Sequence, residues 1–129
     1  MKTSSDTIVV LYVEDDALTR QSVSNRLWRN GVEVLAAESG EEAMALVQEH
    51  PYLAVALLDL QLPGMDGVET CKRLRKLYPN LPVVMCSANL DGPHRERLLA
   101  IDVPDQCQLR KPCLFQELLA AVIRVATPG

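Results

Sequence analysis

Polar side chains stand where four strand-like runs of this sequence end, and their types suit one another chemically. Val55 to Leu58 closes on Asp59, followed by Gln61-Leu62-Pro63-Gly64-Met65-Asp66-Gly67, a Pro-Gly turn and a helix start. Ile8 to Val13 closes on Glu14, Asp15 and Asp16, Val83 to Cys86 closes on Ser87-Ala88, and Gln106 to Leu109 leads into Arg110-Lys111-Pro112. Buried strands of an open parallel sheet read as short continuous apolar runs, and ligands bind outside their carboxyl ends. If the first two runs are central and parallel, Glu14, Asp15 and Asp59 converge. Two unit charges about 4 Å apart at an effective dielectric near 20 repel by roughly 4 kcal/mol. A cation relieves that repulsion, and oxygen-only ligands with room for water suit Mg²⁺, with Mn²⁺ as the alternative. A hydroxyl such as Ser87 and a fixed ammonium such as Lys111 are what a phosphoryl group on Asp59 needs besides the metal.

Each residue also has an ordinary structural explanation. Asp59 fits a turn aspartate bonding its own downstream backbone. Glu14, Asp15 and Asp16 fit a helix-start cluster, with Asp16 as the cap and the others favoured by the macrodipole. Ser87 fits a loop hydroxyl bonded to its own backbone, and Lys111 a solvated surface lysine. It is the succession of these groups at the ends of successive strand-like runs that points to one site.

The elements that position them follow from periodicity and caps. Strands are predicted near Ile8–Val13, Glu33–Ala37, Ala54–Asp59, Val83–Ser87 and Gln106–Arg110, alternating with helices near Ala17–Asn30, Gly40–His50, Gly67–Tyr78, Gly92–Ile101 and Leu114–Ala126. Ser39-Gly40-Glu41-Glu42 and Asp66-Gly67-Val68-Glu69 resemble capping boxes, Gly31 follows the first helix, and Pro51 and Pro79 close the second and third. Phe115, Leu118, Leu119, Val122 and Ile123 form the clearest apolar stripe, a core face. Alternation of this kind gives an α/β fold, a (βα)₅ unit whose parallel sheet is covered on both sides.

Composition narrows the possibilities. A chain of 129 residues is expected to form one domain, with a core near residues 7–126 and a linker start or natural end at Thr127-Pro128-Gly129. The net charge of −4 with dispersed basic residues gives no electrostatic footprint for nucleic acid. Cys71, Cys86, Cys107 and Cys113 lack C-x-x-C spacing, which with only His50 and His94 argues against a zinc site and for reduced thiols in a cytoplasmic protein. No apolar stretch reaches the length of a membrane span, and Met1 to Thr7 is too short and polar for a signal peptide.

The order Glu14-Asp15, Asp59, Ser87, Lys111-Pro112, with Leu62-Pro63-Gly64-Met65-Asp66-Gly67 after the central aspartate, resembles the receiver domain of two-component response regulators, of the chemotaxis type in which the receiver stands alone. The resemblance spans nearly the whole chain. It implies a flavodoxin-like, doubly wound five-stranded sheet in the order 2-1-3-4-5, with Asp59 accepting a phosphoryl group from a phosphohistidine of a sensor histidine kinase or histidine phosphotransfer protein. It implies that Asp15 binds Mg²⁺ directly, Glu14 mainly through water, and that the Gln61 backbone carbonyl completes the ligands. Ser87 then bonds the phosphoryl oxygen and draws its loop inward, Lys111 pairs with Asp59 or its phosphate, and the Lys111-Pro112 peptide is cis. The face of the fourth helix, fifth strand and fifth helix is the expected output surface, acting on an unknown output domain or downstream protein.

Several positions depart from the pattern. Gln108 stands where many receivers carry an aromatic switch residue, and Ile101-Asp102-Val103-Pro104-Asp105 lacks the small Gly-Ala pair often found before the fifth strand. Gln61 and Asn89 occupy positions that modulate phosphate lifetime. Partner choice falls to the first helix, with Arg20, Arg26, Trp28 and Arg29, where Trp28 is either a partner anchor or a core residue. The chain is expected to be a monomer or weak homodimer. Two other functions compete: a pseudo-receiver that docks partners without phosphorylation, and a small aspartate-based phosphohydrolase. The latter fits less well, because such enzymes carry a second aspartate where this chain has Gln61.

Overall fold

Strands buried on both faces need apolar residues at every position, and the central strands of this chain supply them. The computed structural model describes residues 7–50 and 52–127. Residues 1–6, Pro51 and residues 128–129 lie outside that description, and with them most of the N-terminal leader reading, the proline expected to close the second helix and most of the C-terminal linker. The elements run β1 (Ile8–Val13), α1 (Ala17–Arg29), β2 (Val32–Ala37), α2 (Gly40–Val47), β3 (Val55–Asp59), α3 (Gly67–Leu77), β4 (Val83–Ser87), α4 (Gly92–Ala100), β5 (Gln108–Arg110) and α5 (Phe115–Ala126). All strand pairs are parallel, in the order β2-β1-β3-β4-β5, as expected.

Alternation along the strands divides the core into two layers. Leu11, Val13, Ala56, Leu58, Val83 and Met85 face α2, α3 and α4, where Val47, Leu74 and Leu98 meet them. Val10, Tyr12, Val55, Leu57, Val84 and Cys86 face α1 and α5, where Leu27, Leu118 and Val122 close the other side. Helix starts follow the capping residues: Asp16, Ser39 and Asp66 each accept a hydrogen bond from the backbone N–H three residues on.

Two predicted elements are shorter than the pattern suggested by two or more residues, and the other ends that differ do so by one. Helix α2 stops at Val47 instead of His50, because Glu49 and His50 bond back only three residues, to the Leu46 and Val47 carbonyls, in a tighter turn. Strand β5 starts at Gln108 instead of Gln106, because Pro104 introduces a 3-10 turn over Asp105–Cys107 in which the Cys107 N–H bonds the Pro104 carbonyl. The shortened strand still delivers Lys111 to the end of the sheet, since the Lys111 N–H bonds the Ser87 carbonyl at 2.9 Å.

Candidate functional site

The topology sets the C-terminal ends of β1 and β3 side by side, with Val13 in register with Leu58. Asp59 is the last residue of β3 and Glu14 follows β1 directly, so both carboxylates are buried at one sheet end, while Asp15 is exposed beside them. One carboxylate oxygen from each of Glu14, Asp15 and Asp59 lies within 4.8 Å of the others. Lys111 bridges the two buried acids, its Nζ 2.8 Å from Glu14 Oε1 and 2.7 Å from Asp59 Oδ2. The remaining oxygens are held by backbone: Glu14 Oε2 accepts from the Asp16 N–H at 3.1 Å, and Asp59 Oδ1 from the Gln61 N–H at 3.0 Å. Turn chemistry and site chemistry therefore coexist in Asp59, one oxygen serving each.

Charge shapes this group. Burial alone would lower the Lys111 ammonium, but hydrogen bonds and charge from Asp59 and Glu14 outweigh it and hold the lysine protonated well above its ordinary value. Burial pushes the Glu14 carboxyl up, against the opposing pull of Lys111 and the Asp16 N–H. Burial likewise raises the phenol of Tyr12, beneath the acids. Three carboxyl groups thus gather around one bridging ammonium at the sheet end. An all-oxygen donor set, open to water at Asp15, fits a hard divalent cation.

The other expected residues divide. Ser87 is fully buried at the end of β4, but its hydroxyl is engaged by its own loop, donating to the Asn89 carbonyl at 2.9 Å and accepting from the Asn89 N–H at 3.0 Å. The Asn89 side chain accepts from the Asp91 N–H ahead of α4. Gln108 turns back to the preceding loop, its amide donating to the Val103 carbonyl at 2.8 Å. The Lys111-Pro112 peptide is cis. Trp28 is exposed, not part of the core.

Sequence reasoning missed two supports. Arg20, read only as a partner-facing residue, donates from Nη1 to the Glu14 carbonyl at 2.7 Å and reaches the Asp15 carbonyl at 3.4 Å, pinning the acidic turn. An arginine four residues after Asp16, one helical turn on, was the available signal. Gly67, read as part of a cap, lies against the backbone of the site itself: a β-carbon there would overlap the Asp59 carbonyl oxygen and come within 2.8 Å of Leu60 Cα. A cavity of about 440 Å³ opens beside Asp59 and Lys111 between α1 and α5, floored by Tyr12, Cys86, Cys113, Phe115 and Leu118.

Known proteins share this arrangement. The family model of the response regulator receiver domain matches residues 10–123. Response regulator MprA of Mycolicibacterium vanbaalenii is 35% identical over 122 residues, covering 92% of this chain and 52% of that protein, and MprA of Mycobacterium leprae is 34% identical over 114 residues, covering 88% and 48%. The chain thus spans about half the length of the curated relatives it matches. Among solved structures, chemotaxis protein CheY4 of Vibrio cholerae superposes with a TM-score of 0.84 at 30% identity, covering 92% of this chain and 98% of that one. A CheY-like receiver domain protein of Methanospirillum hungatei gives a TM-score of 0.84 at 25% identity, covering 93% and 94%. Among the described residues, no helix is long and apolar enough to cross a membrane. With the sheet order, the acidic sheet end and these matches in agreement, the chain belongs to the response regulator receiver domain family.

Proposed function

We propose that Asp59 is the phosphoacceptor of a two-component or phosphorelay pathway, taking its phosphoryl group from the phosphohistidine of a sensor histidine kinase or histidine phosphotransfer protein in the cytoplasm. The observation that carries this reading is the buried Asp59 carboxylate held between the Gln61 N–H and the Lys111 ammonium beside two further acids. In the reaction an Asp59 oxygen attacks phosphorus in line with the donor nitrogen; the P–O bond forms as the P–N bond breaks, and the histidine leaves with a proton on its ring. Lys111, freed from Asp59 Oδ2, pairs with a phosphoryl oxygen, and Ser87 exchanges its Asn89 partners for another. Glu14, Asp15, Asp59 and the Gln61 carbonyl would hold Mg²⁺, which when bound supplies neutralisation of the phosphoryl charge. The chain acts as a regulatory phosphoacceptor, promoting only its own phosphorylation and dephosphorylation.

An acyl phosphate adds about −1.5 to −2 charge, so the bonds that held the unmodified site must rearrange. Release of Ser87 from Asn89 shifts the 88–93 loop, and α4 behind it, altering the α4-β5-α5 face seen by an output domain or downstream protein. The first test is incubation with acetyl phosphate and Mg²⁺ followed by intact-mass measurement. One phosphate adduct is expected, absent from Asp59→Ala and from chelated protein; an adduct that persists in Asp59→Ala overturns the assignment. Amide shifts on the α4-β5-α5 face should move with the adduct, and a silent face would exclude it as the output.

A further inference from the structure

The four cysteines divide two and two over the core layers, and one of the pairs shares a cavity wall. Cys71 and Cys107 are buried in the layer under α2, α3 and α4, where burial pushes both thiols up. Cys86, on β4, points into the opposite layer, and Cys113 packs against that same layer from the segment between β5 and α5. Both border the cavity beside Asp59 and Lys111, near enough for each thiol to shift the protonation of the other. Cys86 is almost wholly enclosed, whereas Cys113 is partly exposed. A buried thiol and an accessible one that share a packed layer and the wall of an open cavity are placed as a resolving and an attacking cysteine would be.

We propose that Cys86 and Cys113 form an oxidisable dithiol that a hydroperoxide converts to an intramolecular disulfide beside the Asp59 site. The Cys113 sulfur attacks one peroxide oxygen, the O–O bond breaks, and the leaving oxygen departs as water or an alcohol after taking up a proton, leaving Cys113 as a sulfenic acid. The Cys86 sulfur then attacks the Cys113 sulfur, the S–O bond breaks, and the hydroxide leaves as water with the proton of Cys86. Two electrons pass from the thiols to the peroxide, and a dithiol reductant reverses the bond. The neighbouring Cys86 thiol, aided by Lys111, holds the Cys113 thiol down to about 7 against the effect of its own partial burial, which favours it as the attacking group. The bond would join the residue just before Ser87 to the residue two after Lys111. Its formation does not depend on the phosphoacceptor reading.

The test is treatment of the full reduced chain with hydrogen peroxide, then intact mass and non-reducing peptide mapping. The expected product has lost two hydrogens, contains a Cys86–Cys113 linked peptide, and returns to the starting mass with dithiothreitol. Cys86→Ser should stop at a Cys113 sulfenic acid that dimedone captures, Cys113→Ser should give neither product, and a Cys71→Ser, Cys107→Ser double variant should still form the bond. Because the unmutated chain alone decides the main outcome, a variant that fails to fold leaves the proposal falsifiable. Wild-type protein that stays fully reduced, forms only intermolecular disulfides, or overoxidises Cys113 without the linked peptide would show that the two thiols merely pack as small apolar residues.

Discussion

Among the described residues Lys111 is the cation that pairs with both buried carboxylates, so the charge balance of the site depends on it. Removing one partner of a buried pair leaves an uncompensated charge, at a typical cost of 3–5 kcal/mol when burial is complete. Lys111 is about one-third exposed, so solvent screens part of that effect. Lys111→Met should therefore lower stability by ~2 kcal/mol in urea unfolding at pH 7 without divalent cation. Asp59→Asn should move the other way or stay within ~0.5 kcal/mol, since it keeps an oxygen for the Gln61 N–H while deleting one of the mutually repelling charges. A Lys111→Met chain as stable as the original would overturn this balance. The acids and the lysine were legible from sequence because Glu14 and Asp59 directly follow apolar runs, Lys111 ends a strand-like segment, and the ends of neighbouring strands must meet. The present partner of Ser87 and the placing of Cys86 and Cys113 on one cavity wall were not, because a hydroxyl rotamer and the meeting of two separate segments leave no periodic trace.

Helix α3 begins where the chain doubles back against its own strand. The Gly67 N–H bonds the Leu60 carbonyl at 2.9 Å, and the space a side chain would need is filled by the backbone of Asp59 and Leu60. Overpacking of this kind costs typically 1–3 kcal/mol. Gly67→Ala should lose that much in thermal or urea unfolding and also slow acetyl phosphate labelling, because the displaced backbone is that of Asp59. Full labelling rate in a destabilised Gly67→Ala chain would separate the packing from the chemistry. Asp66, one residue earlier, caps α3 through the Glu69 N–H and pairs with Arg97 of α4 at 2.9 Å. Partial burial raises its carboxyl, but these hydrogen bonds and the arginine charge prevail and hold it below the usual carboxylate range. A folded-state value below the unfolded one means that between the two the unfolded chain binds more protons, so stability rises with pH there. The contribution is complete above about pH 4 and disappears as pH falls through the folded value. Asp66→Asn, which keeps a capping oxygen, should thus fall short of the original melting temperature at neutral pH and converge with it in acid; a gap independent of pH would assign the loss to capping alone. Caps and turns made most helix starts readable in advance, whereas the early end of α2 and the short β5 depended on hydrogen-bond geometry within single turns, to which residue type is a weak guide.

Across the whole molecule, the sheet order β2-β1-β3-β4-β5 places β1 and β3 together and thereby concentrates three carboxyl groups around one ammonium at one end of a chain whose net charge is −4. That order followed from family resemblance; alternation of strands and helices alone gives a parallel sheet without fixing which strands adjoin. The concentration of charge is a stored repulsion that a divalent cation relieves only in the folded state, because the unfolded chain scatters Glu14, Asp15 and Asp59 along the sequence. Binding to the native state alone stabilises by RT ln(1 + [L]/Kd), about 1.4 kcal/mol at tenfold excess over Kd, which is roughly 5 °C for a domain of this size. Mg²⁺ titrated into metal-free protein should raise the melting temperature by that amount and continue upward logarithmically, with Ca²⁺-free chelator reversing it. Asp15→Asn should flatten the response by removing an exposed ligand that has no part in the ion pair with Lys111, while Asp105→Asn, which deletes an acid from the distant Arg95 pair, should leave it intact. A Mg²⁺ response equal in all three chains would place the cation elsewhere on the acidic surface and detach the metal from the sheet end. A response lost only in Asp15→Asn would tie the charge built by the fold to the cation proposed for the Asp59 site.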